Sequence, residues 1–168
     1  MTHLPRRSMP PLALTLALLF LAAAAGGCEH APSAQPAAAT AAALPTVPVR
    51  IGNRAYTLEV AADEPTRRRG LMDRPSLPRD RGMVFVFPDD AVRGFWMKNT
   101  LIPLDILFVD RSGRVVSTHT MQPHSEQSTF SGGPARFAIE LNAGEVAANG
   151  VKPGYMLDLP AAARVARE

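Results

Sequence analysis

Asp105 interrupts an otherwise apolar run, Leu104-Asp105-Ile106-Leu107-Phe108-Val109. A carboxylate in such a run needs a partner or a proton, because an isolated buried charge costs several kcal/mol. His119 and Lys98 are the partners the sequence offers. A carboxylate beside an imidazole can serve as base and acid, anchor a ligand, or pin the register of two strands. Just upstream, Phe95-Trp96-Met97-Lys98-Asn99 places the chain's single Trp next to a cation and an amide. An aromatic shelf edged with polar groups suits a sugar or another small polar ligand; it equally suits a core plug followed by a turn at Asn99-Thr100. Trp96, Lys98, Asn99, Asp105 and His119 are therefore the candidate ligand-binding residues. They do not complete a catalytic constellation.

The strand that must carry Asp105 is followed by Asp110-Arg111-Ser112-Gly113. Asp first and Gly last suit a type I turn with a glycine bulge, which sets Asp110 opposite Arg114. Counted down from that turn, Val109 faces Val115, Phe108 faces Val116, and Asp105 faces His119. Period two then puts Asp105, Leu107, Val109, Val115, Ser117 and His119 on one face. A slip of one residue would separate the carboxylate from the imidazole. Ser117 completes a Ser, His, Asp set on paper, but no GxSxG elbow presents it and nothing supplies an oxyanion hole. His119, Met121 and His124, with Met97 and Asp105, could suit copper in an exported protein. No HExxH motif is present, and no cofactor is implied.

These residues sit in a domain running from Val47 to Glu168. Val49 and Ile51, then Tyr56, Leu58 and Val60, alternate with polar residues around Gly52-Asn53, which predicts an opening hairpin. Asp63 to Asp73 reads as a short helix weakened by Gly70. Met83 to Phe87 is a wholly apolar strand buried on both faces. Arg136 to Leu141 alternates with Phe137, Ile139 and Leu141 on one face; Gly144 to Asn149 is a short helix closed by Gly150. Lys152-Pro153-Gly154 turns into a last strand from Tyr155 to Leu159. Many short strands and two short helices predict a mostly β fold, a compact antiparallel sandwich or barrel.

The 168 residues carry 18 basic and 15 acidic side chains, a net charge of +3, without the dense basic stripe of a nucleic-acid binder. Arg67, Arg68, Arg69, Arg74, Arg79 and Arg81 cluster with Asp73 and Asp80 interleaved, the pattern of a solvated surface or of contact with an anionic lipid or polymer. A single cysteine excludes an internal disulfide.

That cysteine follows an address. Arg6 and Arg7 precede the apolar run Leu12 to Ala25, too short to span a bilayer core of about 30 Å as an ordinary helix. The run ends Ala25-Gly26-Gly27-Cys28, which resembles a bacterial lipoprotein signal covering residues 1–27, with Cys28 lipidated. Ordinary secretion leaving a free thiol is the alternative. Glu29, where inner-membrane retention is associated with Asp, points to an outer-membrane anchor on the periplasmic side. Residues 28–46 are Ala/Pro-rich and read as a tether, able to hold the domain up to about 55 Å from the membrane if extended.

One further pattern spans the domain. Gly70-Leu71-Met72, Leu77, Gly82-Met83-Val84-Phe85-Val86-Phe87-Pro88, Phe95-Trp96-Met97-Lys98-Asn99-Thr100 and Pro103-Leu104-Asp105 resemble the domain-of-unknown-function 192 family. His119, Ala138-Ile139-Glu140-Leu141 and Gly150-Val151-Lys152-Pro153-Gly154 continue the match. The resemblance implies a compact, mostly β domain often found behind bacterial export signals, and it implies no activity. Some members carry cysteines after the histidine strand, where this chain has His124-Ser125-Glu126; Tyr155 stands where members usually have Asp. The expectation is a non-catalytic, lipid-anchored envelope domain that binds a small polar ligand or an envelope partner. The alternatives are a hydrolase or lyase on cell-wall or glycan material using Asp105 and His119, and periplasmic copper binding.

Overall fold

The computed structural model describes residues 43–167. The signal-like segment, Cys28 and most of the proposed tether lie outside the described residues. The tether's expected end falls close to the first strand, which begins at Thr46.

Alternating apolar residues produce the opening hairpin as expected. Strand β1 (Thr46–Ile51) pairs antiparallel with β2 (Arg54–Ala61), and Val47, Val49 and Ile51 meet Leu58, Tyr56 and Arg54 across the ladder. The chain then crosses over to β3 (Arg81–Ala91), which runs parallel to β2. A parallel neighbour cannot be reached by a tight turn, so a connection with helix α1 (Glu64–Arg69) intervenes. Asp63 caps α1 in a reciprocal box with Thr66, Pro65 lies in its first turn, and Gly70 ends it. At φ 49°, Gly70 occupies backbone space that an L side chain rarely takes, which allows Leu71 to turn back into the core.

The remaining strands are β4 (Gly94–Phe95), β5 (Leu104–Val109), β6 (Val115–Met121), β7 (Thr129–Phe130) and β8 (Ala135–Asn142). Helix α2 (Glu145–Ala148) follows β8. Six strands form one open sheet in the order β1-β2-β3-β8-β5-β6, and β4 pairs with β7 in a small ribbon. The mostly β class with two short helices is as expected from sequence. Its architecture is a mixed, open sheet instead of a closed barrel, because the α1 crossover makes β2 and β3 parallel. The expected last strand is reduced to one bridge, Met156 to Arg114, supported by backbone bonds from Val115 N to Tyr155 O and from Leu157 N to Gly113 O.

Both faces of this sheet are covered. On one face Val84, Val86, Leu107, Val109, Phe137, Ile139 and Leu141 pack with the hairpin and the C-terminal segment. On the other, Met83, Phe85, Leu104, Ile106, Phe108 and Ala138 pack under Leu71, Leu77 and Met97. This explains why β3 and β5 read as unbroken apolar runs. The central contact is tight at Gly82, where a Cβ would lie 2.5 Å from the Glu140 carbonyl oxygen and 2.7 Å from Leu141 Cδ2. Gly82→Ala is expected to destabilise the domain by about 3 kcal/mol or more, read from urea unfolding, since backbone on the neighbouring strand cannot give way. A midpoint within experimental error of the wild type would contradict this packing.

Candidate functional site

The Asp110 turn forms as expected. Asp110 N–H donates to Arg114 O, Asp110 Oδ1 accepts from Ser112 N and Arg114 N, and Val109 pairs with Val115. A bulge follows at once, so that Phe108 pairs with Ser117 and Val116 is left over. Beyond it Asp105 faces Thr120, and His119 faces Ile106. The predicted Asp105–His119 pairing is thus overturned by a one-residue slip, which sends the two side chains to opposite faces. The bulge coincides with a tertiary demand: Val115 gives its N–H to Tyr155 O and its carbonyl to Gly154 N.

Asp105, 2% exposed, finds other partners. Its Oδ1 accepts from the Thr120 hydroxyl at 2.6 Å, and its Oδ2 accepts from Val146 N at 2.9 Å. The carboxylate therefore fastens α2 to the central hairpin, and Lys98 takes no part. Next to it Glu145 is buried with its own set: Tyr56 hydroxyl donates to Oε2 at 2.5 Å and Arg54 Nη1 at 2.6 Å. The Tyr56 bond, then Arg54, holds the Glu145 carboxyl below the usual range against the opposing effect of burial.

The other candidates separate. Phe95 turns inward, meeting Phe85 edge-on at 5.0 Å and Phe108 at 5.6 Å, while Met97 is buried. Trp96 and Lys98 face outward together, as the alternation predicts, with Lys98 Nζ 5.7 Å from the indole ring. Asn99 takes a left-handed conformation at φ 56° in the turn, and its carbonyl accepts from Asp73 N. His119 is exposed and packs edge-on to Phe108 at 6.0 Å. Met97, Met121 and His119 border one cleft, and Asp105, His119 and Lys152 border another. The five ligand-binding candidates are not gathered around one cavity, and neither His124 nor Asp105 borders the cleft of the two methionines.

A different carboxyl has the geometry of a site. Glu140 lies on β8 between Met83 of β3 and Ile106 of β5, in the middle of the sheet and on the face beneath α1. It is 4% exposed. No described residue hydrogen-bonds to its side chain, and burial alone pushes its carboxyl up to about 8. Its side chain borders a cavity of about 270 Å³ between the sheet and α1, walled by Leu71, Phe85, Phe87, Phe95 and Trp96. Thr100 also borders it, and Arg67, Arg68 and Arg69 stand along α1 with Glu64. Arg67 Nη1 is committed to the carbonyls of Ala62 and Val86, and Arg68 pairs with Glu64. Sequence reasoning found Trp96 but passed over Glu140. The sequence carried little signal for it: Glu140 stands at a polar position of the alternation from Arg136 to Leu141.

Taken together, these features define a class: a small mixed-sheet domain with a buried, unpartnered carboxyl at the base of an aromatic cavity. The chain belongs to the family described as "Uncharacterized ACR, COG1430", DUF192, whose model matches residues 47–159. The residues that carry the resemblance, among them Gly70-Leu71-Met72, Phe95-Trp96, Thr100 and Glu140, converge on this cavity. Two solved structures are similar. One is a Sinorhizobium meliloti 1021 protein assigned provisionally as a transcription regulator: 38% identity, 67% of this chain and 91% of that one covered, TM-score 0.63. The other is a protein of unknown function from Novosphingobium aromaticivorans DSM 12444: 34% identity, 76% and 94% covered, TM-score 0.67. No match is found among the curated proteins.

Two outcomes test these assignments. Asp105→Ala should cost about 2–4 kcal/mol in urea unfolding, because it strands the buried Val146 N–H, whereas His119→Ala should cost far less. Glu140 in the folded chain holds its proton more tightly than the ordinary value of 4.5. Its contribution to stability is therefore complete below pH 4.5 and is lost as the pH rises to about 8. The melting temperature of Glu140→Gln minus that of the wild type should widen by about 5–10 °C between pH 5 and pH 8. A constant difference across that range would mean that the carboxyl is solvated or paired.

Proposed function

We propose that the protein is a non-catalytic binding domain of the cell envelope that holds a small ligand in the Glu140 cavity. The ligand has a largely apolar body and a single polar head. The observation that carries this reading is the Glu140 carboxyl itself: buried, free of any partner among the described residues, and bordering the space a ligand would fill. A buried polar group without a partner costs free energy in the empty protein, and a ligand supplying the missing hydrogen bond recovers it. The aromatic wall provides apolar contact, and half-exposed Trp96 stands at its edge. The volume, just below the range of drug-sized sites, favours a metabolite-sized ligand.

The envelope part of the reading rests on the sequence alone. Cys28 is the proposed lipidation site, and a lipid-anchored chain would present the cavity on the periplasmic side, with the outer membrane as the proposed anchor. The alternative of a hydrolase or lyase using Asp105 and His119 is less supported, because the register puts the two residues on opposite faces of the sheet.

A thermal-shift screen of small metabolites on the purified full-length protein tests the cavity. Hits should raise the melting temperature of the wild type. Trp96→Ala and Leu71→Trp, which respectively open and fill the cavity, should each weaken binding by about tenfold or more through lost contact or blocked space. Hits insensitive to both variants would place the ligand elsewhere. For the anchor, Cys28→Ala should move the protein from the membrane fraction to the soluble periplasmic fraction.

A further inference from the structure

We propose that the ligand head in the Glu140 cavity is a protonated amine, entering between the aromatic side chains and ending on the lone buried carboxyl. The inference rests on the cavity reading above and deepens it.

Two observations support a cation. Glu140 has acceptor capacity and no donor: no N–H, hydroxyl or cation of the described residues bonds to it, although three arginines stand on the helix above. None of the three bonds to it, and two of them are engaged elsewhere. Arg67 is held by two backbone carbonyls, and Arg68 is paired with Glu64. An internal counter-ion is thus withheld, and an ammonium group from outside would complete the ion pair with charge-assisted hydrogen bonds. Second, the approach is lined by Phe85, Phe87, Phe95 and Trp96, whose ring faces attract cations. Phe87 already has Arg93 Cζ at 4.1 Å and Arg67 Cζ at 5.5 Å from its ring centroid, and Trp96 has Lys98 Nζ at 5.7 Å, so among the described residues Phe85 and Phe95 are the wall rings without a cation over them.

The charge balance has a measurable consequence. In the empty protein near neutral pH, Glu140 carries a proton; an ammonium ligand binds best to the carboxylate. Binding therefore exchanges one proton for one cation, and the proton leaves to solvent. The other charged groups around the cavity are Glu64, Arg67, Arg68 and Arg69 on α1. Strands β3 and β5 contribute Met83, Phe85, Phe87 and Ile106, and the segment from Phe95 to Thr100 contributes Phe95, Trp96 and Thr100, none of which titrates.

The test compares 2-phenylethylamine with 2-phenylethanol, its neutral counterpart, by calorimetry on the full-length protein in phosphate and in Tris. The amine should bind at pH 7 with release of about one proton, read from the difference in heat between the two buffers. Its affinity should rise by up to about tenfold per pH unit between pH 6 and pH 8. Glu140→Gln should lower the affinity at least tenfold and abolish proton release, and the alcohol should bind more weakly than the amine. Should the alcohol bind as tightly as the amine, or the amine bind Glu140→Gln and wild type alike, the amine assignment is overturned while the cavity reading stands. Absence of amine binding overturns it as well, and the metabolite screen then decides the cavity reading separately.

Discussion

Covering both faces of the sheet is the constraint from which the rest of this structure follows. An antiparallel sheet with one wet face can carry a glutamate on any strand at little cost. Here β8 lies between β3 and β5, with apolar layers above and below, so every residue from Phe137 to Leu141 is buried. Period two gives Glu140 no wet sheet face to occupy: it must point into one layer or the other. It points beneath α1, where the crossover and the turn at Gly70 leave a cavity instead of a filled core. Topology thus creates both the desolvated carboxyl and the space in front of it.

The two other buried acids among the described residues show what ordinary structural carboxylates look like in the same domain. Asp105 accepts from a hydroxyl and a backbone N–H; Glu145 accepts from a phenol and a guanidinium. Each ties α2 to strands that are remote in sequence, and each accepts two hydrogen bonds. Glu140 has neither partner nor tie. Satisfied buried acids are what a fold needs for specificity, whereas an unsatisfied one weakens the fold unless something else compensates. The contrast within one small protein is the reason to assign the first two to architecture and the third to binding.

The central hairpin illustrates how a correct local reading can lead to an incorrect tertiary one. Asp110 and Gly113 make the expected turn, and the first pair beyond it is as expected. The register then slips at Val116, at the point where Val115 shares its backbone groups with the segment after Gly154. No pattern within residues 104–121 encodes that contact, so His119 and Asp105 are parted by residues about forty positions away.

By itself, the sequence determined the elements whose cause is local. The β1–β2 hairpin follows from alternation around Gly52-Asn53, α1 from the Asp63 cap and its end at Gly70, and the doubly buried strands from unbroken apolar runs. Trp96 facing outward with Lys98 while Phe95 and Met97 face inward also follows from period two alone. Only the tertiary structure decided that β2 and β3 run parallel, that β8 is central, and which acids find partners. Those outcomes depend on long-range pairings, in which a residue's neighbours are set by strand order and not by its own flanking sequence. Glu140 reads as an alternating polar position in Ala138-Ile139-Glu140-Leu141; only β3 and β5 on either side, with α1 above, turn it into a lone carboxyl at the base of a cavity.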